Sequence, residues 1–122
     1  MNPIRRVVSN LQTTNAQQSE QFYTHLLGFV KAMDMGWIMT FAAPDDPSTQ
    51  ISVLTTDPSG FHPHLSIEVT DVEATYRQAV MQGYPIVYPL TDEPWGVRRF
   101  FVRDPNGVII NVLSHRDTPS TE

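Results

Sequence analysis

The chain has 122 residues and a formal net charge of −5, from 8 Lys and Arg against 13 Asp and Glu. This length suits one domain, or two half-size units that share a core, and it needs no disulfide to fold. The acidic balance and the single lysine disfavour nucleic acid or an anionic membrane as a partner. The absence of cysteine excludes thiolate metal sites and, with no secretory segment at the N-terminus, leads us to expect a cytoplasmic protein.

The first predicted elements are a strand over residues 6–13 and a helix over residues 15–27. Apolar residues recur at helical spacing at Phe22, Tyr23, Leu26 and Leu27. Thr14 and Gln17 match a capping box, and Gly28 stands where a left-handed residue ends a helix. The sequence therefore predicts a strand followed by a capped helix.

The same order appears again later in the chain. A strand is predicted over residues 62–69 and a helix over residues 71–82, with apolar residues at Val72, Tyr76, Ala79 and Val80. Thr70 and Glu73 match a second capping box, and Gly83 follows as a second glycine stop.

Shorter strands follow each helix. Residues 37–41 alternate large apolar side chains with smaller or polar ones, which is the period of a half-buried strand. Residues 44–48 hold two prolines and are predicted to be a loop. Residues 104–107 read Asp-Pro-Asn-Gly and predict a turn that joins strands over residues 97–103 and 108–114.

These elements form an internal duplication. The halves align through Val8 with His64, Gly28 with Gly83, Phe41 with Phe101, and residues 51–55 with 110–114. We therefore predict two βαβββ units, at about 4–56 and 62–115, in one α+β domain over residues 1–115. The polar residues 116–122 are predicted to be a mobile tail.

Three stretches carry a family resemblance: residues 22–29 (FYTHLLGF), 64–74 (HLSIEVTDVEA) and 93–112 (EPWGVRRFFVRDPNGVIINV). Together they resemble the vicinal oxygen chelate superfamily, which includes glyoxalase I, extradiol dioxygenases and bleomycin-resistance proteins. The resemblance implies that the two units curl into a cup-shaped open barrel and that the protein is a homodimer. The pattern is most similar to the metal-free, bleomycin-resistance-like members.

Metal-dependent members of that family bind one divalent ion in the cup. The resemblance places their ligand positions at Val8, Ser52, His64 and Asn111. Only His64 is a good ligand, and the set lacks a carboxylate, so we expect no metal cofactor. If one divalent ion binds, His64 together with His62 is the candidate site.

Large, adaptable side chains provide candidates for ligand binding. Trp95 leads because it stands in a Pro-Trp-Gly loop, and loops carry many binding residues. Trp37, Met39 and Phe100 are further candidates, since aromatic rings stack on flat ligands and Met adapts to irregular ones. The alternative for these side chains is packing between the sheet and the helices.

Arg98 and Arg99 are neighbours on a strand and therefore point to opposite faces. One of them is expected to face the cup and pair with an anionic group of a ligand, and we assign this role to Arg98. The alternative is a solvated ion pair with Asp92 or Glu93.

The leading hypothesis is a binding protein that holds a partly planar, apolar small molecule in the cup without catalysis, with His64 and Asn111 also contacting the ligand. One alternative is a metal-dependent lyase, isomerase or dioxygenase with an atypical ligand set around His64. Another is a non-catalytic subunit whose role is association with a partner protein.

Overall fold

The computed structural model of the chain describes residues 2–116. Two helices and eight strands are present there, together with a π-helical segment, Phe22–Leu26, that directly follows the first helix. In chain order the elements are β1 (Ile4–Gln12), α1 (Ala16–Gln21), β2 (Val30–Asp34), β3 (Ile38–Ala43), β4 (Asp46–Leu54), β5 (Leu65–Val69), α2 (Val72–Met81), β6 (Ile86–Asp92), β7 (Val97–Arg103) and β8 (Ile109–His115).

All eight strands belong to one sheet, in the order β2-β3-β4-β1-β5-β8-β7-β6. The first four strands form one half of the sheet and the last four form the other. Within each half the first and last strands of the unit are parallel neighbours, and β1 and β5 join the halves as an antiparallel pair. This arrangement confirms the predicted α+β fold of two βαβββ units in a curved open sheet.

The junction between the units is symmetric. Val8 lies opposite Ser66, and the backbone N–H of Asn10 donates to the carbonyl of His64 at 2.9 Å. The predicted offset of 56 takes Val8 to His64 and Asn10 to Ser66, so it exchanges the two pairs. The register of β1 and β5 therefore agrees with the repeat seen in the sequence.

The strand register shows that the predicted alignment of Phe41 with Phe101 is wrong. Thr40 lies opposite Ser52 in unit one, and Phe101 lies opposite Asn111 in unit two. Since Ser52 and Asn111 are equivalent, Thr40 rather than Phe41 corresponds to Phe101. A slip of one residue moves a side chain to the opposite face of a sheet. Phe41 accordingly packs under the π-helical segment, where it stacks on Tyr23.

Both helices begin with a different cap from the predicted one. The side chain of Asn15 accepts from the backbone of Gln18, and that of Asp71 accepts from the backbone of Ala74, each at 3.1 Å. The caps therefore lie one residue after Thr14 and Thr70, since the short Asn and Asp side chains reach the third N–H of the helix. Gly28 and Gly83 end the helical segments with φ of 85° and 79°, as expected.

The predicted single helix over residues 15–27 is divided. Its α-helical part ends at Gln21, and the π-helical segment continues to Leu26, with the backbone N–H of Leu27 donating to Phe22 at 3.4 Å. The Thr24 hydroxyl donates to the carbonyl of Glu20, a side-chain bond that competes with regular helix hydrogen bonds.

The loop predicted at residues 44–48 is shorter in the structure. Only Pro44 and Asp45 form the turn, and β4 begins at Asp46. The register shift after Ala42 places Pro47 in a bulge, where its missing N–H interrupts no ladder. The turn at 104–107 is as predicted, with Gly107 at a φ of 83° and the Asp104 carboxylate accepting from two backbone N–H groups.

The best-defined core lies between α2 and the convex face of unit two. Val69, Val72, Ala79, Phe100 and Val112 are its buried members. Helices thus cover the convex face of the sheet and leave the concave face open. Among residues 2–116, neither helix is long and apolar enough to cross a membrane. The predicted tail lies outside the described residues except for Arg116, whose N–H donates to the carbonyl of Gly96.

We predict that Phe100→Ala lowers the free energy of unfolding by about 3–5 kcal/mol, because Phe100 is 0% exposed and its ring packs edge-on against Tyr76 at 5.0 Å. Urea denaturation measures this change. The control Phe22→Ala removes a ring that is 50% exposed and should have a much smaller effect. Equal losses for the two variants would contradict the position of the core.

Candidate functional site

A cavity of about 300 Å³ opens on the concave face of the sheet. Its lining comes from both units and includes Trp37, Thr40 and Ser52 from unit one and Trp95, Arg99 and Asn111 from unit two. This volume lies at the lower end of the range of small-molecule pockets. The cavity is therefore the candidate site.

The only two tryptophans of the sequence meet in this cavity. Trp37 lies in the connection between β2 and β3, and Trp95 lies in the equivalent connection between β6 and β7. Their ring centroids are 5.3 Å apart at an interplanar angle of 62°. Each unit thus contributes one indole to an aromatic pair on the wall of the cup.

A buried ion cluster lies against the ring of Trp95. The Arg99 guanidinium donates to both carboxylate oxygens of Asp57, at 2.9 and 3.0 Å, and to Glu93 at 2.6 Å. The three residues are 3%, 5% and 7% exposed, and the Tyr88 hydroxyl also donates to Glu93 at 3.0 Å. Burial by itself lowers the pKa of Arg99, but the hydrogen bonds and charges of Asp57 and Glu93 outweigh it and raise the pKa overall.

Aromatic rings surround the same guanidinium. Its central carbon lies 4.8 Å from the ring centroid of Phe101, 5.1 Å from that of Trp95 and 5.3 Å from that of Tyr88. Cation–π contacts of this kind are stronger when the ion is removed from water. Arg99 therefore connects the Asp57 segment between the units to the loop that carries Trp95.

The polar part of the cup floor consists of neutral side chains. The amide nitrogens of Asn10 and Asn111 both donate to the hydroxyl of Ser66, at 2.8 and 3.0 Å. Thr40 and Ser52 form a buried hydroxyl pair at 2.7 Å. The amide oxygen of Asn111 is buried and has no hydrogen-bond partner. This oxygen is enclosed by the protein and is not exposed to the cavity.

Three of the predicted binding residues line the cavity: Trp95, Trp37 and Asn111. The others lie elsewhere. Met39 and Phe100 point to the convex side, because Ile38 and Thr40 take the concave positions on β3 while Phe101 and Arg99 do so on β7. Met39 was expected to share the face of Trp37 through strand alternation. That expectation was wrong because Trp37 lies in the turn before β3 and not in the strand.

Arg98 does not face the cup either. It pairs with Asp92 at 2.6 Å and with Glu73 on α2, which is the solvated arrangement considered as the alternative. The hydrogen bond with Asp92 raises the pKa of Arg98 and lowers that of the Asp92 carboxyl. Of the two neighbouring arginines, Arg99 is the one that lines the cavity.

The position expected for His64 is also corrected. His64 is exposed and does not line the cavity, and its Nδ1 accepts from the backbone of Ile109 at 3.2 Å. Residues 62–64 precede β5 in a bend, so strand alternation does not extend to them, and the buried Pro63 lines the cavity instead. The His62 and His64 rings are 5.8 Å apart, and His62 contacts the carbonyl of Asn10.

Asp57 was not identified from the sequence, and Glu93 was considered only as a partner in a solvated arginine ion pair, whereas its pair with Arg99 is buried. Asp57 stands in the connection between the units, within Asp-Pro-Ser-Gly, which is typical of an ordinary turn. Its carboxylate does accept from the backbone of Ser59 at 2.8 Å, as a turn residue would. Asp57 and Arg99 are 42 positions apart in the chain, so no local sequence pattern indicates that they pair.

The family comparison agrees with this geometry. The model of the Glyoxalase/Bleomycin resistance protein/Dioxygenase superfamily matches residues 4–112. The chain belongs to this superfamily. A search of the curated proteins finds no match.

Solved structures of superfamily members and other proteins share the fold at low identity. A superfamily member from Vibrio splendidus 12B01 matches with a TM-score of 0.70 and 16% identity, over 92% of this chain and 99% of that one. Methylmalonyl-CoA epimerase from Mycobacterium tuberculosis gives 0.69 and 18%, over 93% and 88%. NAD-dependent benzaldehyde dehydrogenase from Legionella pneumophila gives 0.73 and 19%, over 90% and 99%. At these identities the similarity shows the fold alone.

The cup of this superfamily member does not fit a divalent transition metal. Of the four positions implied by the resemblance, Val8, Ser52 and Asn111 line the cavity, and His64 does not. The oxygens available are neutral amides and hydroxyls, whereas such ions need about three nitrogen, sulfur or carboxylate ligands. Within residues 2–116, no three His, Cys, Asp or Glu side chains are grouped so as to hold an ion.

We predict that Arg99→Met destabilises the protein by about 3–5 kcal/mol, because it leaves two buried carboxylates without their cation. Denaturant unfolding measures the loss. Arg98→Met is the matched control on the neighbouring, solvated residue and should change stability far less. A loss no larger for Arg99→Met than for Arg98→Met would show that the ion cluster does not hold the site together.

Proposed function

We propose that the protein is a small-molecule binding protein of the superfamily, similar to its bleomycin-resistance members. Its ligand is partly planar and apolar, and it is held in the cup without a metal ion or a chemical step. The observation that carries this proposal is the Trp37–Trp95 pair on the cavity wall. Indole rings provide large, rigid contact area for flat ligands.

The polar groups of the cup support binding rather than catalysis. General acid–base chemistry needs a titratable group free to reach the substrate. Here Asp57 and Glu93 are bonded to Arg99, and Arg6 and His115 lie within 3.1 and 2.9 Å of Glu68. The alternative of a metal-dependent lyase, isomerase or dioxygenase requires a ligand set around His64, and His64 lies outside the cavity lining.

We predict that 9-anthracenemethanol, a neutral planar probe, binds the protein and that Trp95→Ala raises its dissociation constant about tenfold. Loss of one stacking partner together with its buried area accounts for a change of that size, about 1.4 kcal/mol. The anisotropy of the probe's own fluorescence measures binding in variants that lack a tryptophan. His64→Ala is the control and should leave the dissociation constant unchanged. Binding unaffected by Trp95→Ala, or no binding by the wild-type protein, would contradict the proposal.

The proposal includes a homodimer, and a difference between the duplicated units supports it. Helix α2 buries Val72 and Ala79 against its own sheet, but neither α1 nor the π-helical segment has a buried residue. Leu26 and Leu27 are 69% and 53% exposed there. A second copy of the chain would cover this apolar surface through a self-complementary contact.

We predict that the protein sediments at twice the mass of one chain and that Leu26→Glu yields the monomer, because a charge would then enter the apolar contact. Sedimentation velocity measures both. Met81→Glu, on the equally exposed end of α2, is the matched control and should leave the dimer intact. A monomeric wild-type protein would exclude this part of the proposal.

We also propose a cytoplasmic location, which the lack of cysteine favours.

A further inference from the structure

We infer that the Ser66 hydroxyl is the hydrogen-bond donor on the floor of the cup, and that the ligand is a planar aromatic molecule with a neutral acceptor such as a ketone carbonyl. This inference rests on the proposed binding function, which it deepens by naming the chemical class of the ligand. It assigns a role to a residue outside the predicted binding set.

A row of polar side chains crosses the floor of the cup. In unit one, Ser52 lies between Thr40 and Asn10 in the strand register. In unit two, Ser66 lies opposite Asn111. The hydrogen bond from Asn10 to Ser66, at 2.8 Å, joins the two parts across the junction of the units. All five side chains line the cavity, so a ligand at the bottom of the cup contacts this row.

The hydrogen bonds of Ser66 leave its hydroxyl hydrogen without an acceptor. A serine hydroxyl has one hydrogen to donate and two lone pairs that accept. The amide nitrogens of Asn10 and Asn111 donate to its oxygen, at 2.8 and 3.0 Å, and so occupy both lone pairs. Within residues 2–116 the hydroxyl hydrogen has no acceptor, since the enclosed amide oxygen of Asn111 is without a partner. The hydrogen is therefore available to a ligand.

Ser66 is also the member of this hydrogen-bonded trio that a ligand can reach. Asn10 and Asn111 are 6% and 8% exposed, whereas Ser66 is half-buried and lines the cavity. Its neighbour across the strand pair is the apolar Val8. A ligand that displaces water from the hydroxyl without accepting its hydrogen leaves that donor unpaired, which is costly. The floor thus favours a ligand with an acceptor over one with a hydrocarbon edge or an N–H donor.

The charged side chains of the lining are engaged with partners of opposite charge. Both oxygens of Asp57 accept from Arg99. Arg6 and His115 lie 3.1 and 2.9 Å from the carboxylate of Glu68. The polar row itself is uncharged. An anionic group on the row would lose its hydration in exchange for hydrogen bonds from neutral groups, so the acceptor that fits there is a neutral one.

Three tricyclic probes of similar shape test the inference. At the same ring position 9-fluorenone carries a carbonyl acceptor, carbazole an N–H donor and fluorene a methylene group. Each probe competes with 9-anthracenemethanol, and the fluorescence anisotropy of the latter gives the dissociation constant of the competitor. We expect 9-fluorenone to bind about fivefold more tightly than carbazole, which is the effect of one neutral hydrogen bond. Equal or tighter binding of carbazole would overturn the inference.

Two serine variants test the assignment of the donor. Ser66→Ala removes the hydroxyl and should reduce the ratio of 9-fluorenone affinity to fluorene affinity about fivefold, because the ratio cancels the contribution of ring burial. Ser9→Ala is the matched control, since Ser9 is exposed on β1 and alternates with the cavity residues Val8 and Asn10. It should leave the ratio unchanged. A ratio that survives Ser66→Ala would show that another group, such as an arginine, is the donor, and the inference fails.

The outcomes separate this inference from the proposed function. If the three probes displace 9-anthracenemethanol equally and Trp95→Ala weakens each of them, the cup binds planar ligands without distinguishing acceptors from donors, and only the inference fails. If Ser66→Ala does not fold because two buried amides lose their acceptor, the comparison of 9-fluorenone with carbazole on the wild-type protein still decides the matter. If neither 9-anthracenemethanol nor any competitor binds the wild-type protein, the proposed function fails as well.

Discussion

The antiparallel pairing of β1 with β5 is the constraint on which the molecule depends. Each βαβββ unit has a four-stranded sheet with β1 or β5 at its edge, and that edge leaves backbone groups unpaired. Pairing the two edges satisfies those groups and fuses the units into one curved sheet, with Val8 opposite Ser66 near the centre. The concave face then exists only because both units contribute to it. Any ligand in the cup contacts residues that are far apart in the sequence.

The buried cluster of Arg99, Asp57 and Glu93 fixes the position of loops that the backbone hydrogen bonds of the sheet do not hold. The strands position Arg99, but Asp57 and Glu93 lie in loops, and loops are mobile unless side chains fix them. Paired ions inside a protein give little net stability compared with apolar residues, but breaking them is costly. The cluster thus holds the Trp95 loop in one place.

Sequence patterns predicted the architecture because its determinants are local. Apolar periodicity, the glycines at 28 and 83, and the Asp-Pro-Asn-Gly turn each act over a few residues, and the repeat joined them into two units. The site was predicted less well because it depends on which face of a strand points inward. One residue of register separates Phe100 from Phe101 and Arg98 from Arg99, and periodicity does not fix that register where turns interrupt it. The ion pair of Arg99 with Asp57 is a tertiary contact that has no local signal.

The central claim is that the concave face binds a planar organic ligand through two indole rings and does not form a metal-binding site. The most direct test is one crystal structure of the protein grown with both 9-anthracenemethanol and Zn²⁺, with diffraction recorded at the zinc absorption edge. We expect density for the tricyclic ring against Trp37 and Trp95 and no anomalous peak at the floor of the cup. An anomalous peak coordinated by Asn10, Ser66 and Asn111, with no ring density beside the tryptophans, would contradict it.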